Sequence, residues 1–298
     1  MIKIKTLKTK YKILTWNIRI HKNYEKRLGD IVKFIKELNP DIALLQEVDC
    51  EFLDQTVDQF KKAGYHLVLH PNAKNMEGTS AVAYDRKTFK EHRPVKRLAS
   101  QIVFDATVVD LIPNDKLTIR DKAPKYVGPE DRSADTETPL DYGNDILSVI
   151  SYHGSWGGIA QTVRLNEIMV IDKIAKAKGN AVILGGDFNA TPNEPAIKFL
   201  TGSQAINGTS TLWVEAQDLI LEMGGREPIK TSFNHGPIVD VEAKFNTHYA
   251  PERRIDYLFN YGYSYGRQYA FDGWEYQIDL DRARELSDHA PLMAGILG

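Results

Sequence analysis

The chain has 298 residues, with 38 Lys and Arg against 40 Asp and Glu, and a formal net charge of -2 at pH 7. A hydrophobic fraction of 42% and a charged fraction of 26% are typical of globular domains and exclude disordered, collagen-like and coiled-coil chains. The near-neutral balance argues against binding of nucleic acid through bulk charge alone, but it is compatible with a local basic groove.

Three features bear on the compartment of the protein. Cys50 is the single cysteine, so no intramolecular disulfide can form, which fits a reducing environment. Residues 1–12 carry five lysines but lack the apolar core of a secretory signal. The longest apolar runs are far below the roughly 18 residues of a membrane span. The sequence therefore predicts a cytoplasmic protein that does not cross a membrane.

The first elements along the chain form a strand, a helix and a strand. Residues 13–16 and 42–45 are short apolar runs followed by polar residues, a pattern typical of buried strands. Between them, apolar residues recur at helical spacing from Leu28 to Leu38, and Asn39 and Pro40 then predict the end of the helix.

The middle of the chain continues this alternation. Residues 82–84, 102–109 and 146–151 have the β-branched content of strands. A second amphipathic helix is predicted to end at Gly179 and to be followed by a strand at residues 181–184. The residues predicted to form its buried face are Val163, Ile168, Ile171 and Ile174.

Residues 113–143 hold four prolines and little periodicity, which predicts a long surface loop. A solvated insertion is favoured over a substrate-selecting lid, because loops tolerate growth. The polar residues of interest extend from position 17 to position 289, and no linker divides the chain. We therefore expect one catalytic domain over residues 1–298, with 113–143 as an insertion.

Five short regions share one feature, a carboxylate, amide or imidazole directly after an apolar run. If the strand ends converge at one edge of a sheet, these side chains meet in a pocket on rigid elements. The regions are Thr15-Trp16-Asn17, Leu45-Gln46-Glu47-Val48, Ser151-Tyr152-His153-Gly154, Gly185-Gly186-Asp187-Phe188-Asn189, and Arg254-Ile255-Asp256-Tyr257 with Ser287-Asp288-His289.

In order and spacing, these motifs resemble those of the endonuclease/exonuclease/phosphatase superfamily, the deoxyribonuclease I-like enzymes, over residues 15–292. The resemblance implies an α/β fold, a four-layered αββα sandwich of two mixed β-sheets flanked by helices. It also implies a divalent-metal-dependent phosphodiester hydrolase with its site at one end, between the sheets.

The resemblance assigns metal ligands. Glu47 is the first of them, because an oxygen-donor carboxylate suits Mg²⁺ or Mn²⁺. Asn17 and Asp288 complete or flank the same shell.

The remaining motif residues receive catalytic roles by the same resemblance. Asp187 orients or deprotonates the attacking water, and Asn189 donates a hydrogen bond to the phosphate. His289, paired with Asp256, and His153 face the phosphate. The glycines before Asp187 are expected to let the backbone turn tightly.

Two positions depart from the abasic-site endonuclease branch of the family. His153 stands where those enzymes carry tyrosine, and Arg19 stands where they carry an acidic residue. Both departures count against abasic-site repair as the main task.

Other residues are interpreted as structural. His66, His70 and Ser80 are assigned to strands. Arg164 is expected on a solvated helix face. The alternating Tyr261, Tyr263 and Tyr265 favour packing over base stacking.

Three functions stay open at this point. A nuclease acting on DNA or RNA is favoured, and a lipid or small-molecule phosphodiesterase, of the sphingomyelinase or inositol-phosphatase kind, is the alternative. A catalytically inactive binding protein is disfavoured because Glu47, Asp187 and His289 are all present. The protein is expected to be a monomer.

Overall fold

The computed structural model describes residues 9–21, 23–91, 104–114, 146–157, 160–178, 180–225, 227–233, 253–261, 270–272 and 276–297. The strands are β1 (Thr9–Asn17), β2 (Ile42–Asp49), β3 (Tyr65–Leu69), β4 (Gly78–Asp85), β5 (Phe89–Glu91), β6 (Ala106–Pro113), β7 (Leu147–His153), β8 (Ala181–Asp187), β9 (Val214–Glu215), β10 (Asp256–Tyr261), β11 (Ala270–Phe271) and β12 (Leu292–Leu297). The α-helices are α1 (Tyr24–Leu38), α2 (Leu53–Lys62), α3 (Gln161–Lys178), α4 (Pro195–Leu200), α5 (Ala216–Glu222) and α6 (Leu280–Leu286).

These strands form two six-stranded mixed sheets. The strand order is β11-β12-β1-β2-β4-β3 in the first sheet and β5-β6-β7-β8-β10-β9 in the second. In the first sheet β1 runs parallel to β2, and in the second β7 runs parallel to β8, while the other paired neighbours are antiparallel.

Three apolar layers hold the sheets and helices together. One layer lies between the sheets and joins Ile13 and Leu44 of the first to Ile183 and Leu258 of the second. A second layer packs α1, α2 and α6 on the outer face of the first sheet. The third packs α3 and α4 on the outer face of the second. These layers confirm the predicted four-layered sandwich.

The predicted strands lie where the apolar runs placed them, although most are longer. Successive residues of β1 belong to different layers, Ile13 between the sheets and Leu14 beneath the helices. A strand buried on both faces is apolar along its whole length rather than at alternate positions. For this reason the continuous runs marked buried strands correctly.

The first predicted helix is α1, which begins four residues before Leu28. It ends as expected, because Asn39 adopts a left-handed backbone with φ 52° and donates its N–H to the Ile35 carbonyl.

Helix α3 has the expected position but a different buried face. Val163 is 48% exposed, whereas Arg164, expected on a solvated face, is only 2% exposed. Arg164 is buried because its guanidinium pairs with Glu194 at 2.5 Å and donates to the carbonyls of Ser155 and Gly157. The buried face therefore begins one residue later than the apolar pattern predicted.

Strand β6 begins at Ala106, later than the predicted residue 102, and residues 102 and 103 lie outside the described part of the chain. It extends to Pro113, which pairs with Phe89. The predicted loop therefore loses its first residue to a strand, and residues 115–143 are outside the described ranges. Across the ranges that are described, no helix is long and apolar enough to span a membrane.

Candidate active site

The predicted functional side chains meet at one edge of the two sheets. Because β1 is parallel to β2 and β7 to β8, the carboxyl ends of all four strands carry their polar residues to the same end. Across the second sheet, His153 and Asp256 are both register partners of Asp187. The antiparallel strand β10 therefore contributes its first residue to the same edge.

Glu47 reaches this edge through an irregularity in β2. The pairing of β2 with β4 shifts register between Leu45 and Val48, and Glu47 has a left-handed backbone with φ 56°. A bulge inserts an extra residue and redirects its side chain, and left-handed backbone is uncommon for residues other than glycine. Its Oε2 accepts a hydrogen bond from the Ile20 backbone N–H at 2.9 Å, which fixes the carboxylate.

Asn17 connects the two sheets at the site. Its Nδ2 donates to Glu47 Oε1 at 2.9 Å and to Asp187 Oδ2 at 3.1 Å. Its Oδ1 accepts from the Arg19 backbone N–H at 2.9 Å. In this orientation Asn17 positions the two carboxylates, and its amide would have to turn over to offer oxygen to a metal.

His153 lies among three carboxylates. Its Nε2 is 3.7 Å from Glu47 Oε1 and 3.8 Å from Asp187 Oδ2, and its Nδ1 is 3.5 Å from Asp105 Oδ2. Burial lowers the pKa of His153, but the hydrogen bond with Asp105 and the charges of Asp187 and Glu47 outweigh it and raise the pKa to about 9. This environment favours the protonated imidazole when no cation occupies the cluster.

His289 and Asp256 form a buried pair, as the resemblance implied. The Nδ1 of His289 lies 2.9 Å from Asp256 Oδ2, and its Nε2 lies 3.7 Å from Asp187 Oδ2. Burial opposes the charged imidazole, but Asp256 and then Asp187 raise the pKa of His289 well above its ordinary value. Asp256 is itself held by Thr231, whose Oγ1 accepts the Asp256 backbone N–H at 3.0 Å.

Asn189 follows Asp187 in a tight turn. Its backbone has φ 49° and donates its N–H to Asp187 Oδ1 at 2.8 Å, while its Nδ2 donates to the Gly154 carbonyl at 2.9 Å. The turn expected at the preceding glycines is therefore made by Asn189, because Gly185 lies within β8.

Gly185 is required for packing rather than for turning. A Cβ there would lie 2.6 Å from Leu258 Cδ2 and 2.7 Å from Leu44 Cδ1, both in the layer between the sheets. Gly186, the next residue of β8, would clash with the Tyr152 backbone of its partner strand if it carried a Cβ.

Asp288 lies beside the cluster and contacts a different partner. Its Oδ2 is 3.4 Å from Arg19 Nε, and it is absent from both described groups of potential ligands that lie within 4.8 Å of one another. Those groups are Glu47 with His153 and Asp187, and Asp187 with Asp256 and His289.

The described cluster fits a hard divalent cation. Glu47 and Asp187 offer two carboxylates, and Mg²⁺ in proteins binds through one or two carboxylates while keeping several waters. Asp187 and Glu47 also help to raise the pKa of His153, and Asp187, after Asp256, raises that of His289, so the cluster favours positive charge.

One residue of the site, Asp105, was missed from the sequence. It directly precedes β6, its Oδ1 accepts the Ser80 backbone N–H at 2.7 Å, and its backbone carbonyl accepts the His153 N–H. A polar residue directly after an apolar run was the signal that found the other residues. It failed here because Asp105 precedes its strand and lay inside the predicted strand at residues 102–109.

The residues assigned to strands are mostly structural. His66 lies in β3 and Ser80 in β4, where Ser80 exchanges hydrogen bonds with Thr107. His70 directly follows β3 rather than lying within it, and its Nδ1 accepts the Asn72 N–H. Tyr261 packs against Trp213, with ring centroids 5.1 Å apart, while residues 263 and 265 lie outside the described ranges.

Comparison with solved structures reveals the same fold in several enzymes. An endonuclease/exonuclease/phosphatase from Bacteroides vulgatus shares 16% identity with this chain. The two superpose with a TM-score of 0.61, covering 98% of this chain and 100% of that one. The human Nocturnin catalytic domain, with bound sulfate anion, shares 17% identity with a TM-score of 0.59, covering 97% of this chain and 93% of that one.

D. rerio TDP2 complexed with single strand DNA product shares 13% identity with a TM-score of 0.59, covering 97% of this chain and 99% of that one. No curated protein sequence is significantly similar to this chain. The model of the Endonuclease/Exonuclease/phosphatase family matches residues 14–289, a span that includes every motif residue of the site. The chain is therefore a member of the endonuclease/exonuclease/phosphatase family.

Proposed function

We infer that this protein is a divalent-metal-dependent phosphodiester hydrolase and that its substrate is a nucleic acid. The observation that carries the inference is the convergence of Glu47 from one sheet and Asp187 from the other on Asn17. His153 and His289 each lie within 4 Å of Asp187 Oδ2, at 3.8 and 3.7 Å. This arrangement combines carboxylates that could hold a metal ion with two imidazoles that could contact a phosphate.

The cluster supports a role for a metal ion held by Glu47. When bound there, a divalent cation neutralises the negative charge that develops on the non-bridging oxygens of the phosphate during the reaction. The resemblance also assigned Asn17 and Asp288 to this shell. Asn17 takes part by holding both carboxylates in place, and Asp288 by pairing with Arg19 at its border.

The reaction requires a water to attack phosphorus while the ester oxygen leaves. Asp187 is the carboxylate at the centre of the cluster, and it orients the water and accepts its proton. His289 is held through Nδ1 by Asp256, so its Nε2 is the atom that binds the phosphate or returns a proton to the leaving oxygen.

His153 and Asn189 complete the phosphate site. The imidazole of His153, beside Glu47, binds a non-bridging oxygen of the substrate. Asn189 holds the Gly154 carbonyl through Nδ2, and we assign the same amide the hydrogen bond to the phosphate in the substrate complex.

One comparison favours a nucleic acid as substrate. D. rerio TDP2, which shares the fold, is described with a single strand DNA product. Two basic residues near the motifs have acidic partners, Arg254 with Glu215 and Asp218, and Arg19 with Asp288. Recognition must therefore use more than a bulk positive surface, which agrees with the net charge of -2.

The test is a parallel hydrolysis assay with Mg²⁺ or Mn²⁺ on single-stranded DNA, duplex DNA, RNA, bis-p-nitrophenyl phosphate and sphingomyelin, each with an EDTA control. We expect cleavage of a nucleic acid that EDTA abolishes, and a loss of about 10²-fold or more in Asp187→Asn. Turnover of the lipid or small ester alone would replace the nuclease with a lipid or small-molecule phosphodiesterase.

A further inference from the structure

The side chain of Trp156 projects into solvent beside the candidate active site. It is 81% exposed, while the next most exposed large apolar residues of the described chain, Leu212 and Met223, reach 65% and 64%. Tryptophan is highly buried on average, because its large indole gains more than most side chains from leaving water. An exposed indole therefore calls for a specific explanation.

The backbone around Trp156 is held by buried side chains. Arg164 donates to the carbonyls of Ser155 at 2.8 Å and Gly157 at 3.0 Å, the residues on either side of the tryptophan. The Ser155 hydroxyl also donates to Glu167 Oε1 at 2.7 Å. Gly157 has φ 98°, a conformation that residues with a side chain rarely adopt. These contacts fix the backbone on both sides of Trp156.

The same loop is joined directly to the catalytic cluster. The Gly154 N–H donates to the Asp187 carbonyl at 2.8 Å, and its own carbonyl accepts from Asn189. Trp156 lies three positions after His153, so their Cα atoms are at most about 11 Å apart. The tryptophan is therefore carried by a segment that also contacts the catalytic cluster.

The chemistry of an exposed indole selects its ligand. Every nucleobase has a flat π face, and stacking on an aromatic side chain is tolerant of base identity. Bases inside a duplex already stack on their neighbours, so only an unpaired base can bind this way. Membrane insertion requires a contiguous apolar surface, whereas the other exposed apolar residues are distributed over several described elements.

We propose that Trp156 is a stacking platform for an unpaired nucleobase next to the scissile phosphate, which makes single-stranded nucleic acid the substrate class of this site. The proposal rests on the function inferred above. It adds a residue that selects the substrate, since stacking requires a base and the phosphodiester chemistry does not.

The test compares steady-state cleavage of a labelled single-stranded oligothymidylate with cleavage of oligonucleotides in which one nucleotide near the scissile bond lacks its base. Wild type, Trp156→Ala, Trp156→Phe and Leu212→Ala are measured with Mn²⁺. Leu212→Ala is the matched control, because it removes an exposed apolar side chain from a different segment. Equal urea midpoints establish that the variants are folded.

We expect Trp156→Ala to raise KM for the intact oligonucleotide about tenfold, with a smaller change in kcat, and Trp156→Phe to recover most of the loss. Removing the contacted base should raise the KM of wild type by a similar factor and have little further effect in Trp156→Ala. Leu212→Ala should resemble wild type on every substrate.

Two results would overturn the proposal. In the first, wild type cleaves the intact oligonucleotide, but Trp156→Ala and Leu212→Ala have the same KM for it. That result would exclude stacking on Trp156 and leave the nuclease function standing. The other is loss of binding to phosphatidylserine vesicles in Trp156→Ala with oligonucleotide cleavage intact, which identifies a membrane contact. A wild-type enzyme that cleaves no nucleic acid removes the inferred function and this proposal together.

Discussion

The position of the Glu47 carboxylate depends on an unfavourable backbone conformation at that residue. Its left-handed conformation at the bulge of β2 is stabilised by the hydrogen bonds that its carboxylate makes with Asn17 and the Ile20 N–H. Residues in sparsely populated conformations cluster at functional sites, where the surrounding structure compensates for their strain. The carboxylate is thereby fixed before any cation binds.

Replacing Glu47 by Gln tests this residue as a metal ligand. The amide keeps an oxygen for the Ile20 N–H but loses the negative charge, so we expect Mn²⁺ affinity to fall about tenfold or more. Binding to the folded state raises the melting temperature, so a thermal titration with Mn²⁺ measures the change without any substrate. Glu51→Gln, at an exposed glutamate just after β2, is the control. A wild-type titration curve for Glu47→Gln would contradict the assignment.

His289 and Asp256 should act as one unit in catalysis. We expect His289→Ala to lower kcat by about 10² or more, because the buried imidazole faces Asp187 across 3.7 Å. Asp256→Asn should also lower kcat, because Asp256 orients the imidazole ring of His289.

The double variant of these two residues provides the decisive measurement. If Asp256 works through His289, the double variant loses no more kcat than His289→Ala does alone. Losses that multiply would show that the two side chains act independently, and circular dichroism spectra identify any variant that fails to fold.

At the scale of elements, α3 supports the active-site edge through charged groups inside the fold. The Arg164 guanidinium connects the helix to the loop after β7 and to Glu194, which precedes α4. Glu167, on the same buried face, accepts hydrogen bonds from the hydroxyls of Tyr152 and Ser155. A helix face with charged residues thus fixes two loops that border the site.

Arg164→Met should therefore be destabilising. Removing one partner of a buried ion pair leaves the other charge uncompensated, a loss of about 3 kcal/mol in the free energy of unfolding. Urea denaturation measures it, and Arg164→Met combined with Glu194→Gln should recover part of the loss. Lys62→Met, which breaks the exposed pair with Asp58, is the control and should change stability by less than about 1 kcal/mol. If Arg164→Met is as stable as Lys62→Met, Arg164 has no structural role.

The sequence predicted the strands and helices more reliably than the bulge at Glu47 and the buried charge at Arg164. Continuous apolar runs marked the strands that are buried on both faces, and the polar residues behind them included most of the cluster. Periodicity selected Val163 for the core because a buried charge such as Arg164 is recognisable only once Glu194 is near it in space. The bulge at Glu47 depends on the pairing of β2 with β4, which connects residues distant in sequence.

On the scale of the whole molecule, the layer between the sheets joins the two ends of the described chain. Strand β12 is inserted between β1 and β11 in the first sheet, and Leu292 and Ile296 pack in the same apolar layer as Ile13 and Ile183. Each sheet supplies one wall of the site, so loss of either sheet should separate Glu47 from Asp187.

We therefore expect the protein to unfold as one cooperative unit. Differential scanning calorimetry should give a single transition, and activity should be lost at the same temperature. Two resolved transitions would instead assign the sheets to separate units and would contradict the prediction of one domain.

The pairing of Thr9 with Leu297 has a practical consequence. Strand β1 runs from this pair to Asn17, a distance of about 26 Å at the usual rise per residue of a strand. A fluorophore or a surface tether attached at either residue would thus project from the end of the sandwich opposite the catalytic edge. Immobilised protein held in this way should present its candidate active site to long polymers.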